Sequence, residues 1–241
     1  LCLTETFIKT LNIPIFMKDK KYSIIILVAA LVIGLVFGYF LASAQAQFQI
    51  KQAHLTFNDK ADIYDAKFHD LMQEHTFILI NTARRSLDSA DSFNGSMVAL
   101  QRNVNDLSDQ IATVYPTDSN DVAQFKSLWT TEINMFIKYT NSVKSGDPTA
   151  STTFASDAAA YEEASASFWS NPATPLANLD KATVKQLITS NVNNMKAAVD
   201  YWGARDYTNY FLKTHDAYTQ VGAVADIFVT AIVTQHPEAF S

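Results

Sequence analysis

The chain has 241 residues, 48% of them hydrophobic, a formal net charge of -6 and one cysteine, Cys2. The lone cysteine excludes a disulfide framework, so any core must be held by packing. With no cluster of Lys and Arg after Lys21, the charge pattern argues against nucleic acid and anionic lipid surfaces as partners.

The N-terminal segment divides by charge and hydropathy. Met17-Lys18-Asp19-Lys20-Lys21 reads as a natural start with a short basic region, and residues 1–16 as sequence upstream of it. Residues 1–22 are expected on the cytoplasmic side. From Ile24 to Ala42 no side chain is charged or strongly polar. A helix over residues 23–42 would be about 30 Å long at 1.5 Å per residue, enough to cross a bilayer with its backbone polar groups satisfied internally. Lys18, Lys20 and Lys21 precede this run and no Lys or Arg follows until Lys51, so the positive-inside bias predicts a single pass with the N-terminus inside. The alternative is a signal peptide cleaved near Ala44 or Ala46, where Ala42-Ser43-Ala44 and Ala44-Gln45-Ala46 have the small-x-small pattern. Either way, the remainder is expected outside the cytoplasm.

Residues 43–58 form a linker or a continuation of the membrane helix, and residues 59–241 one extracytoplasmic domain. Six Gly and six Pro in the whole chain are few, which favours helix over strand. Punctuation predicts six helices. The first runs from about Asp59 to Leu87 and ends before Asp91-Ser92-Phe93-Asn94-Gly95-Ser96, which reads as an exposed loop carrying an Asn-Gly-Ser glycan acceptor pattern. The second follows to Val114 and the third runs from Ser119 or Asn120 to Lys144. The fourth covers Thr152 to Trp169, the fifth Asp180 to Trp202, and the sixth follows the turn Gly203-Ala204-Arg205-Asp206 and ends before Pro237. Apolar residues recur at helical spacing, as in Tyr64, Phe68, Leu71 and Ile78, so the expected fold is an all-α antiparallel helical bundle with most aromatic residues as core.

Several stripes carry one polar residue where the period calls for an apolar one. His75 stands between Leu71 and Ile78, Glu132 between Leu128 and Met135, Asn191 between Leu187 and Met195, and Gln220 between Ala217 and Val224. His215 lies on a neighbouring stripe. A buried polar group without a partner costs about 1 to 3 kcal/mol, and an unpaired carboxylate more. Gathering the four into one interior layer removes that cost, either as a self-satisfied cluster that sets helix register or as a site for a ligand. His75, Glu132 and His215 are the strong ligand types, of the kind that bind transition metals inside helical bundles. No Glu-x-x-His pair supports them, and His69 lies about 120° from His75 around the first helix.

Catalysis has little support. No Gly-rich phosphate loop, His-Glu-x-x-His or nucleophile-elbow Ser is present. The neighbours His69-Asp70 and His215-Asp216 point in different directions on a helix and form no acid-base couple. The chain is expected not to be an enzyme.

Four segments carry a family resemblance: Phe68-His69-Asp70-Leu71-Met72-Gln73-Glu74-His75; Leu128-Trp129-Thr130-Thr131-Glu132-Ile133 with Phe136 and Tyr139-Thr140; Asp216-Ala217-Tyr218; and Ile232-Val233-Thr234-Gln235-His236-Pro237-Glu238-Ala239-Phe240. Together, over residues 67–240, they resemble a family of exported helical domains of unknown function that accompany copper-amine-oxidase N-terminal-like modules in Gram-positive bacteria. The resemblance implies a His on helices one, three, five and six, at the positions held here by His75, Glu132, Asn191 and Gln220. Three of these four are replaced in this chain, so only His75 carries over as a ligand, and copper is implied by association alone. The expected function is a membrane-anchored extracytoplasmic binding or accessory module taking a metal ion or small ligand at the polar layer. The alternative is a sensor or adaptor ectodomain that works through a protein partner and whose layer is only structural.

Overall fold

The computed structural model describes residues 59–115, 120–171 and 179–241, all within one compact unit. The leader 1–22, the apolar run 23–42 and the connection 43–58 lie outside the described residues.

The described residues form six α-helices: α1 Asp59–Leu87, α2 Phe93–Ala112, α3 Asn120–Lys144, α4 Ala150–Trp169, α5 Lys181–Gly203 and α6 Tyr207–Gln235. A 3-10 turn, Pro237–Phe240, follows, and no strand occurs among the described residues. Two N-caps are side-chain built. Asp180 accepts from the Thr183 amide at 2.8 Å and Asp206 from the Asn209 amide at 3.1 Å, each satisfying one of the free donors of a first helical turn.

Three helices end in the same way. Ser89, Gly146 and Arg205 have φ of 53°, 74° and 60°, and beyond each the next amide reaches back to a carbonyl in the last helical turn. Such left-handed closures satisfy the final carbonyls. Gly146 holds this conformation freely, whereas after α5 it falls on Arg205 and Gly203 is the last helical residue. The glycan pattern departs from expectation too. Asn94 is exposed, but it lies in the first turn of α2, and the buried Ser96 hydroxyl donates to the Phe93 carbonyl at 2.7 Å. The helix begins four residues earlier than a loop through Ser96 allows.

Consecutive helices run antiparallel, and α6 closes back on α1, which also touches α3 and α5 across the interior. Named contacts show the senses. Gln110 donates to the Tyr64 carbonyl and Asn103 to that of Leu71, so α2 descends as α1 rises; Lys60 reaches the carbonyl of Ser241 and Gln73 that of Tyr218, so α6 descends as well. Phe68, Phe125, Phe136, Phe168 and Phe228 fill the centre with Leu79, Leu107 and Met195. Burying each such side chain contributes about 1.5 to 3 kcal/mol. By length and composition α6 could cross a membrane, but half of its most apolar stretch is buried within the bundle, so it serves here as a core helix.

Candidate functional site

His75 and Glu132 are brought together. They are 0% and 3% exposed, and His75 Nε2 lies 3.4 Å from Glu132 Oε2 between the parallel helices α1 and α3. The other imidazole nitrogen, Nδ1, is 2.9 Å from Asn103 Oδ1 on α2. The Asn103 amide nitrogen donates to the Leu71 carbonyl at 3.0 Å and to the Glu74 carboxylate at 2.9 Å, which uses both of its hydrogens and fixes which way the amide faces. Oδ1 therefore accepts, and His75 Nδ1 must carry a proton. A neutral His75 would then present a bare Nε2 to a carboxylate oxygen. Two acceptors at that distance repel in a water-poor interior, and neither atom has a hydrogen-bond partner among the described residues.

A cavity of about 40 Å³ opens beside Glu132. All of its wall residues are buried except Leu128, which is half-buried. Its walls are largely aromatic: Phe125, Trp129, Tyr161, Trp169 and Phe228. Trp129 also packs on the His75 ring, with centroids 4.4 Å apart, while Trp169 stacks on Phe228 at 4.1 Å. Polar atoms are few and clustered. Glu132 Oε2 and Ser165 Oγ are buried without a close hydrogen bond, with the Tyr161 hydroxyl as a neighbour of both side chains. Asn191 lines the same cavity and donates through Nδ2 to the Ala217 carbonyl at 3.1 Å, leaving Oδ1 as its acceptor. Burial first, and then the charge of Glu132 beside it, push the Tyr161 phenol well above its ordinary range, so the hydroxyl keeps its proton.

His215 and Gln220 lie elsewhere. The α6 surface facing the interior is centred on Ala217, Val221, Val224 and Phe228. His215 falls about 160° from Ala217 around a helix of 3.6 residues per turn, and its side chain is exposed. Gln220 falls about 60° to one side; it is half-buried and accepts from Asn194 at 2.7 Å. Neither lines the cavity. The polar layer thus holds three of the expected residues, with Asn191 across the cavity from the His75–Glu132 pair. Among the described residues no three His, Cys, Asp or Glu side chains are grouped to hold a metal ion, and with His215 on the surface the pair has no third strong ligand.

Two participants escaped the sequence reading. Asn103 interrupts the Leu100, Val104, Leu107 stripe of α2 just as His75 does that of α1, so the same rule applied to the second helix finds it. Tyr161 follows Phe154 and Ala158 at helical spacing and reads as core filler; nothing in the spacing marks where its hydroxyl points.

Comparison with protein-family models, curated proteins and solved structures finds no match to this chain.

Proposed function

We propose that this chain is a membrane-anchored extracytoplasmic module that binds a small ligand inside its helical bundle, in the cavity beside Glu132. The observation that carries it is a carboxylate oxygen, 3% exposed as a residue and without a close hydrogen bond, on the wall of a cavity that also contains the Ser165 and Tyr161 hydroxyls. Leaving such groups without partners is costly, and a ligand that supplies donors removes the cost. Anchoring is supported by the charge-free run at residues 24–42 behind Lys18, Lys20 and Lys21, with secretion after cleavage near Ala44 or Ala46 as its alternative. The motif resemblance to exported helical domains agrees with that placement. Copper or zinc draws less support, because the layer offers one imidazole and one carboxylate.

A second reading, a sensor or adaptor ectodomain whose layer only sets register, is favoured by one observation: Asn103 and Glu74 tie His75 to α2 with no need of a ligand.

Native mass spectrometry of the purified full chain, beside a Ser165→Leu variant that fills the cavity, separates the two. Binding predicts a small-molecule adduct that the variant loses while keeping its helicity. Bare wild-type chain, melting no lower than the variant with or without a metabolite extract, would leave the register reading. Protease treatment of intact cells, digesting the bundle but not a cytoplasmic marker, tests the placement.

A further inference from the structure

We propose that the cavity takes the head of a small organic cation, an ammonium or methylated ammonium group, held by Glu132 against the aromatic walls. This rests on the cavity being a binding site and adds the class of ligand.

Charge comes first. Glu132 is the carboxylate on the wall, and among the described residues no Lys or Arg lines the cavity. Its ion-pair neighbour among them, His75, approaches at 3.4 Å without forming a hydrogen bond to Oε2. An anion would meet repulsion there, and a neutral guest could offer a donor but no charge to balance the carboxylate. A cation with N–H donors satisfies it, and hydrogen bonds between ionised partners are roughly twice as strong as neutral ones.

The walls point the same way. Phe125 packs edge-on against Trp129 and Trp169 at 5.8 and 5.5 Å, and Trp169 stacks on Phe228. Aromatic surfaces draw cations, most strongly where water is excluded. The wall also offers acceptors and hydroxyls, among them Asn191 Oδ1, Ser165 Oγ and the Tyr161 oxygen, and a primary ammonium brings three donors to them. A hard metal cation is a poorer match, since it wants about six oxygen ligands and most of this wall is carbon. Size limits the head group: about 40 Å³ admits about two or three heavy atoms. Any longer tail would leave past Leu128, the one wall residue that is not fully buried.

The test uses the full chain in detergent and the fluorescence of Trp129 and Trp169, which line the cavity. Methylammonium, ethanol as its neutral counterpart, and potassium are titrated at constant ionic strength. A guest of two heavy atoms binds weakly, so the midpoint is expected at millimolar concentration or weaker. The expected result is a saturable response to methylammonium that weakens about tenfold or more in Glu132→Gln. Should that variant lose its helicity, Asn191→Leu carries the test, with weakening in the same direction by a smaller factor. Equal responses to methylammonium and ethanol would overturn the ligand class while leaving a binding cavity. Potassium matching methylammonium would overturn it in favour of a hard cation. No response to any of the three would remove the cation proposal and the binding cavity together.

Discussion

His75 and Glu132 meet between α1 and α3 with almost no exposure, whereas Tyr139, Lys196 and Asp200 meet between α3 and α5 at a wetter rim. At the rim every charge has a partner. Lys196 Nζ is 2.6 Å from Asp200 Oδ2 and donates to the Tyr139 hydroxyl at 3.0 Å, and that hydroxyl donates to Asp200 Oδ1. Lys196 also lies over the Tyr139 ring at 4.6 Å. Burial pulls the Lys196 ammonium down, but its hydrogen bonds to Asp200 and Tyr139 outweigh that and hold it above its ordinary value. With the Asp200 side chain 42% exposed, water can replace any lost partner. Inside, water has little access, and Glu132 Oε2 and His75 Nε2 make no hydrogen bond. The cluster at the rim is self-sufficient, and the pair in the interior is incomplete.

The sharpest way to break the contrast is Glu132→Leu. It leaves His75 Nε2 against carbon and is expected to cost about 3 to 5 kcal/mol, the range for removing one partner of a buried pair. His75→Leu with Glu132→Leu should recover part of the loss, though Asn103 Oδ1 then loses its donor. Thermal denaturation of Glu132→Leu, His75→Leu and the double variant measures this, and a double mutant less stable than either single change would contradict the pairing.

Alkaline pH comes next. Tyr64, Tyr115, Tyr139 and Tyr161 are all held above the ordinary 10.0, in each case chiefly by burial. The unfolded chain therefore loses these protons first. Their contribution is complete below about pH 10 and falls as pH rises beyond it, by up to about 1.4 kcal/mol per pH unit for the fully buried Tyr161. Phenolate absorbance at Tyr161, followed by comparison with Tyr161→Phe, should appear only together with loss of helicity. Ionisation within an intact fold would place water beside Glu132.

Tyr139→Phe at the rim should cost less, about 0.5 to 1.5 kcal/mol, because Lys196 and Asp200 keep one another. Urea denaturation reads it, and a loss as large as that of Glu132→Leu would erase the distinction between the two clusters. The smallest effect is expected from Glu163→Gln. Lys181 and Lys185 hold this fully exposed carboxyl down at about 2, yet a solvated, salt-screened pair should leave the melting temperature nearly unchanged at physiological ionic strength.

Helix content and boundaries were legible because they depend on local chemistry. Periodicity, the turn Gly203-Ala204-Arg205-Asp206 and the break before Pro237 act within one or two turns, and the structure follows them closely, adding Asp180 and Asp206 as caps. The α2 start was misread because Asn94-Gly95-Ser96 looks like a turn, while Ser96 is drawn into the core by its neighbours.

The candidate site divides the same way. From the sequence came the facts that His75, Glu132 and Asn191 sit on buried stripes and that an uncompensated charge there would be expensive. Which stripe faces which depended on tertiary packing: the parallel pairing of α1 with α3 puts His75 against Glu132, the descent of α2 adds Asn103, and the tilt of the α6 stripe leaves Gln220 and His215 outside. One helix's period fixes angles around its own axis. Only the packing of helices distant in sequence sets the rotation and height at which two such axes meet, and that placed a cavity beside Glu132.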